Sequence, residues 1–142
     1  MPRKADGIEG RNSAAANPLT FQQRSRLATA ALIEAGIERA RFDIVPFPIE
    51  TPTRLREFVS LDITCFTTEL NRWNSEKIRL LEREGYTVSR LKVSEIDDVR
   101  VTSGTKIREL IRNCDEKWRG FVPPSVYEVI SSEYLHAFEI RA

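Results

Sequence analysis

One histidine and two cysteines in 142 residues leave little from which to build a metal centre or a disulfide framework. His136 stands near the C-terminal end, where a surface or packing role is expected. Cys65 and Cys114 fall in different apolar-periodic segments, without metal-ligand spacing, and are expected as small buried residues. A surplus of charge is missing too: 22 Lys and Arg face 21 Asp and Glu, so net charge points to neither a nucleic acid nor a membrane surface. Any anion site must therefore be local. No apolar run approaches the length that spans a bilayer, and the opening MPRKADGIEGRNSAAAN has no apolar segment of secretory type. A soluble, cytoplasmic protein is expected. What is present, 41% apolar residues, suffices for one domain with a core.

Residues 1–17 mix glycine, alanine, asparagine and charge without a period and read as a flexible lead-in, leaving 18–142 as the folded part. Thr20 with Gln23 three residues on forms a capping-box pattern, and Leu27, Ala28, Ala31, Leu32 and Ala35 recur at helical spacing up to Gly36. RFDIVPFPI (41–49) is rich in β-branched and aromatic residues and reads as a strand cut short by Pro46 and Pro48. A helical turn follows at 52–58. LDITCFTT (61–68) reads as a buried strand, then NSEKIRLLEREG as a helix with Ile78 and Leu81 inward and Gly85 as its stop. A third strand is expected over 86–91, and Pro124 opens a last helix through Val126, Val129 and Ile130. Strands alternating with helices imply an α/β fold, its sheet parallel with right-handed crossovers and helices on its faces. Ligands in such sheets bind beyond the carboxyl ends of the strands, which here are residues 67–74 and 101–108.

The second of these stretches, VTSGTKIREL (101–110), has the unusual chemistry. The first backbone N–H groups of a helix are unpaired and its dipole makes that end positive, so a structural helix gains from an acid there. In this sequence no acid occurs before Glu109, while Lys106 and Arg108 add positive charge. Ser103 or Thr105 can cap, Gly104 lets a bulky oxyanion approach the backbone, and the planar fork of Arg108 suits phosphate. Ile107, Leu110 and Ile111 form the apolar face, which puts Arg108 and Arg112 together on another. Taken alone, these residues fit either a phosphate site or a plain cap with a solvated basic face.

The order of segments separates the two. SGTKIR (103–108) resembles the Ser-Ser/Gly-Thr-x-Ile-Arg signature of the nucleotidyltransferase superfamily. Asn17-Pro18-Leu19-Thr20 followed by Arg24 is similar to the Asn-Pro-Phe/Leu-Thr-x-x-Glu-Arg segment of the nicotinamide-mononucleotide adenylyltransferases. VPFPIE, CFTTELNRWNSEKIRLLEREGYTV and WRGFVPPSVYEVI resemble, in the same order, that family's later strand, loop and helix segments. The resemblance implies a three-layer Rossmann-like nucleotidyltransferase fold with a parallel sheet, N-terminally truncated, and a partial α/β domain over 18–142. It implies transfer of an adenylyl group from ATP to nicotinamide mononucleotide, giving NAD and pyrophosphate, with Mg2+ carried by the nucleotide. Ser103, Gly104, Thr105, Lys106 and Arg108 would hold the phosphates, and Thr67, Thr68 and Glu69 would border the nucleotide. Phe58 and Trp73 are candidates for the aromatic that stacks on the nicotinamide, while Trp118 is expected beneath the final helix. The family's His-x-Gly-His turn has no counterpart in this chain, so no catalytic residue is assigned. The alternative is a non-catalytic nucleotide-binding or assembly module. The absent opening strands leave a bare sheet edge, at which a second copy or a complementary polypeptide is expected to pair.

Overall fold

The computed structural model of the protein describes residues 16–69, 72–91 and 102–139. The flexible lead-in expected over 1–17 falls almost entirely outside them, as do Leu70, Asn71 and Val101 of the expected ligand-facing stretches. The chain divides into two compact units, one formed by Met1–Ile44 with Arg100–Ala142, the other by Val45–Val99.

The first unit is helical. Helix α1 (Phe21–Glu34) starts at Thr20 through the reciprocal cap its sequence announces: Gln23 N–H donates to Thr20 Oγ1 at 3.2 Å, and Thr20 N–H to Gln23 Oε1 at 2.9 Å. Helices α3 (Gly104–Arg112) and α4 (Pro124–Val129) complete the unit, with α4 running on through a π-helical turn at Ile130–Tyr134 and a 3-10 turn at Leu135–Phe138. Their apolar faces meet in a core of Leu19, Ile111, Trp118, Val126, Ile130, Tyr134 and Phe138, against which Leu27, Ala31, Ile107 and Leu110 pack. Trp118 lies 4.7 Å, centroid to centroid, from the Tyr127 ring. At the surface, the Arg26 guanidinium of α1 forms a two-pronged ion pair with Glu133 and lies over the Tyr134 ring, fixing α1 to the end of the chain.

The second unit is a β-α-β hand. Strands β1 (Thr64–Thr68) and β2 (Thr87–Leu91) pair in parallel, Thr64 opposite Thr87 through Thr68 opposite Leu91, and helix α2 (Arg72–Arg83) connects them. The helix returns its apolar stripe to the sheet, so that Ile78 and Leu81 are fully buried. A core of Leu55, Val59, Leu81 and Tyr86 forms there, with Tyr86 Oη donating to Val59 O at 2.7 Å. Each such aliphatic side chain contributes about 1.5–3 kcal/mol by leaving water. Two parallel strands with an intervening helix accord with the α/β, Rossmann-like reading.

The strand expected over 41–49 does not form. Arg39–Arg41 is a 3-10 turn, Phe42 is extended, and no ladder involves this stretch among the described residues. Pro46 and Pro48 remove two N–H donors, while the carbonyls of Phe47 and Pro48 accept instead from Ile49 and Thr51 in a tight turn. Residues 52–58 do turn, as a 3-10 helix at Pro52–Glu57 that buries Leu55.

Three helices end in the same way. After α1, Gly36 N–H donates to Ile33 O and Ile37 N–H to Leu32 O; after α2, Gly85 donates to Glu82 and Tyr86 to Leu81; after α3, Cys114 donates to Ile111 and Asp115 to Leu110. This double closure requires a left-handed residue, and Gly36 and Gly85 adopt it at φ 84° and 94°. Cys114 adopts it at φ 53° with a side chain to accommodate, and is exposed rather than buried. The helix stop, not apolar packing, sets its place. Cys114→Gly is expected to raise stability by about 1 kcal/mol, read as a higher urea midpoint with an unchanged slope.

Candidate functional site

The start of α3 is held open by its own cap. Ser103 is extended (φ −139°, ψ 159°) and its Oγ accepts the Lys106 N–H at 3.2 Å, satisfying one of the unpaired amides of the first turn. The first turn contains no acid. Gly104, Thr105 and Lys106 are exposed, and Ser103 and Arg108 half-buried.

Long helical side chains lean toward the N-terminus, and Arg108 does so fully. Its Nη2 donates to Thr105 Oγ1 at 3.2 Å, and its Nη1 stands 3.0 Å from where a Cβ on Gly104 would be. A guanidinium thus lies across the amide-rich end of the helix, where the dipole disfavours a cation. No salt bridge among the described residues engages Arg108 or Lys106. One residue before the cap, the Thr102 hydroxyl is buried with no hydrogen-bond partner among the described residues. Among the described residues these groups offer an anion the Arg108 guanidinium, the remaining first-turn amides and the Ser103 and Thr105 hydroxyls, and no carboxylate pairs with Arg108 or Lys106.

Thr67, Thr68 and Glu69 belong to the second unit, at the carboxyl end of β1. Thr67 is 7% exposed, and its hydroxyl makes a long 3.4 Å contact with Thr68 O. Asn74 Nδ2 donates to the Thr68 carbonyl at 2.7 Å, and Ser75 Oγ to Glu69 at 3.1 Å, which ties the strand end to the first turns of α2. Arg90 bridges Glu69 and Glu82. The Asn74 clasp was not foreseen; an asparagine within the first turn of a helix that follows a strand is the only signal for it.

The remaining sequence candidates are placed as follows. Phe58 lies under the Arg54 guanidinium, 5.9 Å from its ring centre, and Trp73 is half-buried in the first turn of α2. Trp118 is buried beneath α4, as expected. Cys65 is half-buried, and desolvation pushes its thiol up, away from the nucleophilic thiolate. His136 is exposed in the C-terminal 3-10 turn. No described helix is long and apolar enough to cross a membrane.

Over 114 residues the chain is 32% identical to a phosphonoformate cytidylyltransferase of Streptomyces viridochromogenes, a match covering 80% of this chain and 60% of that protein. It is 28% identical over 127 residues to a nicotinamide-nucleotide adenylyltransferase of Pyrobaculum neutrophilum, covering 85% of this chain and 66% of that protein. The chain therefore spans three-fifths to just under two-thirds of the length of these relatives. No protein-family model and no solved structure matches it. Both matches are to nucleotidyltransferases, at modest identity, and support a relationship to that superfamily.

Proposed function

We propose that the chain binds a nucleoside triphosphate at the start of α3 and serves nucleotidyl transfer in the cytoplasm, with ATP as donor and nicotinamide mononucleotide as acceptor. The observation that carries this reading is the Arg108 guanidinium laid across Gly104, with no carboxylate partner among the described residues, at a helix start with no first-turn acid. The names of the two relatives, a cytidylyltransferase and an adenylyltransferase, support the reaction class.

In this reaction a phosphate oxygen of the acceptor attacks the α-phosphorus of the donor. The bond from that phosphorus to the bridging oxygen breaks, and pyrophosphate leaves with the electron pair. Charge accumulates on the departing phosphates, and the protein's task is to hold and neutralise them. The α3 amides and Arg108 do this, Thr105 steadies the guanidinium, and Lys106 adds a point charge. Mg2+ enters on the nucleotide's own phosphates. No residue of this chain is assigned to proton transfer.

Titration calorimetry of the chain with ATP, CTP, nicotinamide mononucleotide and NAD, each with Mg2+, tests the proposal. Heat is expected with a triphosphate, and the comparison of ATP with CTP identifies the donor base. Absence of heat with all four ligands overturns it.

A further inference from the structure

We propose that the cavity between the Glu116–Phe121 turn and the outer side of α4 binds a small zwitterion with an apolar body, of the size of an amino acid. The cavity, of about 550 Å³, belongs to the first unit and is lined by Arg119, Pro124, Tyr127, Glu128, Ser131 and Ser132. That volume falls in the range of small-molecule sites. It is not an uncovered piece of core. Val126, Ile130, Tyr134 and Phe138 turn the apolar stripe of the same helix into the cluster, and of the lining residues only Tyr127 packs against it. Two charges and two hydroxyls are also a poor seat for an apolar segment, which would strip them of water.

The cation is set in place before a ligand arrives. Trp118 is buried, the Tyr127 ring lies against it, and the Arg119 guanidinium lies over that ring, 4.9 Å from its centre. Tyr127 Oη donates to the Glu116 carboxylate at 2.9 Å, which fixes the ring. Among the described residues no hydrogen bond or ion pair uses the Arg119 N–H donors, so a planar fork stands ready for a carboxylate. The Glu128 carboxylate on the same wall has no cationic partner among the described residues either, and the two do not pair with each other. A simple anion would meet Glu128 and a simple cation Arg119, each a repulsion. A molecule that carries both charges satisfies both walls. Ser131 and Ser132 stand in the π-helical turn Ile130–Tyr134, a widening that is rare within helices and recurs at functional sites. Ser132 Oγ donates to the Glu128 carbonyl at 2.7 Å, which leaves its oxygen to accept from an ammonium group. Pro124 and the edge of the Tyr127 ring give the apolar body its wall.

NMR titration of the isotope-labelled full chain with L-phenylalanine, phenylpropionate and phenethylamine tests the site, since the last two each lack one of the charges. L-Phenylalanine is expected to shift the Ser131 and Ser132 amides and the Arg119 side-chain N–H. It is expected to bind about tenfold or more tighter than either analogue, the range for one hydrogen bond to a charged group. Arg119→Gln should weaken L-phenylalanine about tenfold, to the level of the amine, and Glu128→Gln to the level of the acid. Both side chains are exposed, so circular dichroism should stay unchanged. The comparison of the three probes needs no variant and decides the matter if a variant fails to fold. The proposal is overturned by an absence of shifts with L-phenylalanine, by equal affinity for all three probes, which marks an apolar cleft, or by tightest binding of phenylpropionate, which marks a plain anion site. Shifts that gather on α3 and spare these residues overturn it equally.

Discussion

Arg108→Ala is expected to weaken triphosphate binding about tenfold to a hundredfold, the range for losing a hydrogen bond to a charged group, while the thermal midpoint stays close to wild type. Arg108 is half-buried and makes no salt bridge among the described residues, and alanine is a better helix former, so its loss leaves the first unit's core intact. Gly104→Ala gives the complementary test. The added methyl would stand 3.0 Å from Nη1, so the guanidinium must move aside, while a glycine-to-alanine change within a helix favours folding by about 0.5–1 kcal/mol. Stability should therefore rise as affinity falls. Calorimetry beside urea denaturation reads both quantities. A helix start with no ligand would give the stability gain and, for both variants, titrations identical to wild type.

Trp118→Ala is expected to cost about 3–5 kcal/mol, the largest stability effect of any single side chain here. The indole is 2% exposed, lies tilted against the Tyr127 ring, and sits where residues of α3, α4 and the C-terminal turns converge. Removing it leaves a cavity that Leu19, Ile111 and Val126 cannot close without moving backbone. Domains of this size are stable by about 5–15 kcal/mol, so the variant is expected to be partly unfolded at physiological temperature. Urea denaturation followed by near-ultraviolet circular dichroism measures it, with Trp118→Phe falling between the two. A loss below about 1 kcal/mol would mean that the cluster carries little of the first unit's stability.

Where the fold was legible in the sequence, the signals were local and chemical. The Thr20–Gln23 cap, the Ser103 cap, and Gly36 and Gly85 as helix stops each rest on one side chain or one dihedral angle. Ile78 and Leu81 followed from helical spacing, and both are buried. Residues 41–49 misled because β-branched and aromatic residues fit a pleated, half-buried surface but do not create one. With two prolines and carbonyls drawn into a turn, the stretch had no ladder to join. Cys114 was opaque for a different reason: its left-handed angle is imposed by two hydrogen bonds closing α3, which nothing in the residue itself announces. The orientation of Arg108 was half legible. Four-residue spacing places it one turn from Gly104, but only side-chain direction lays the guanidinium back across the helix start.

The first unit is discontinuous: the chain leaves it at Ile44 and returns at Arg100, so Leu19 and Ala31 meet Ile111 and Phe138 only after the ends of a long loop have found each other. That search is an entropic obstacle which grows with the freedom of the intervening stretch. Val45–Val99 forms its own contiguous unit with its own core, so it can condense without waiting for the first. The short-range contacts of the β-α-β hand are expected to form before those of the first unit, whose core cluster contains none of its residues.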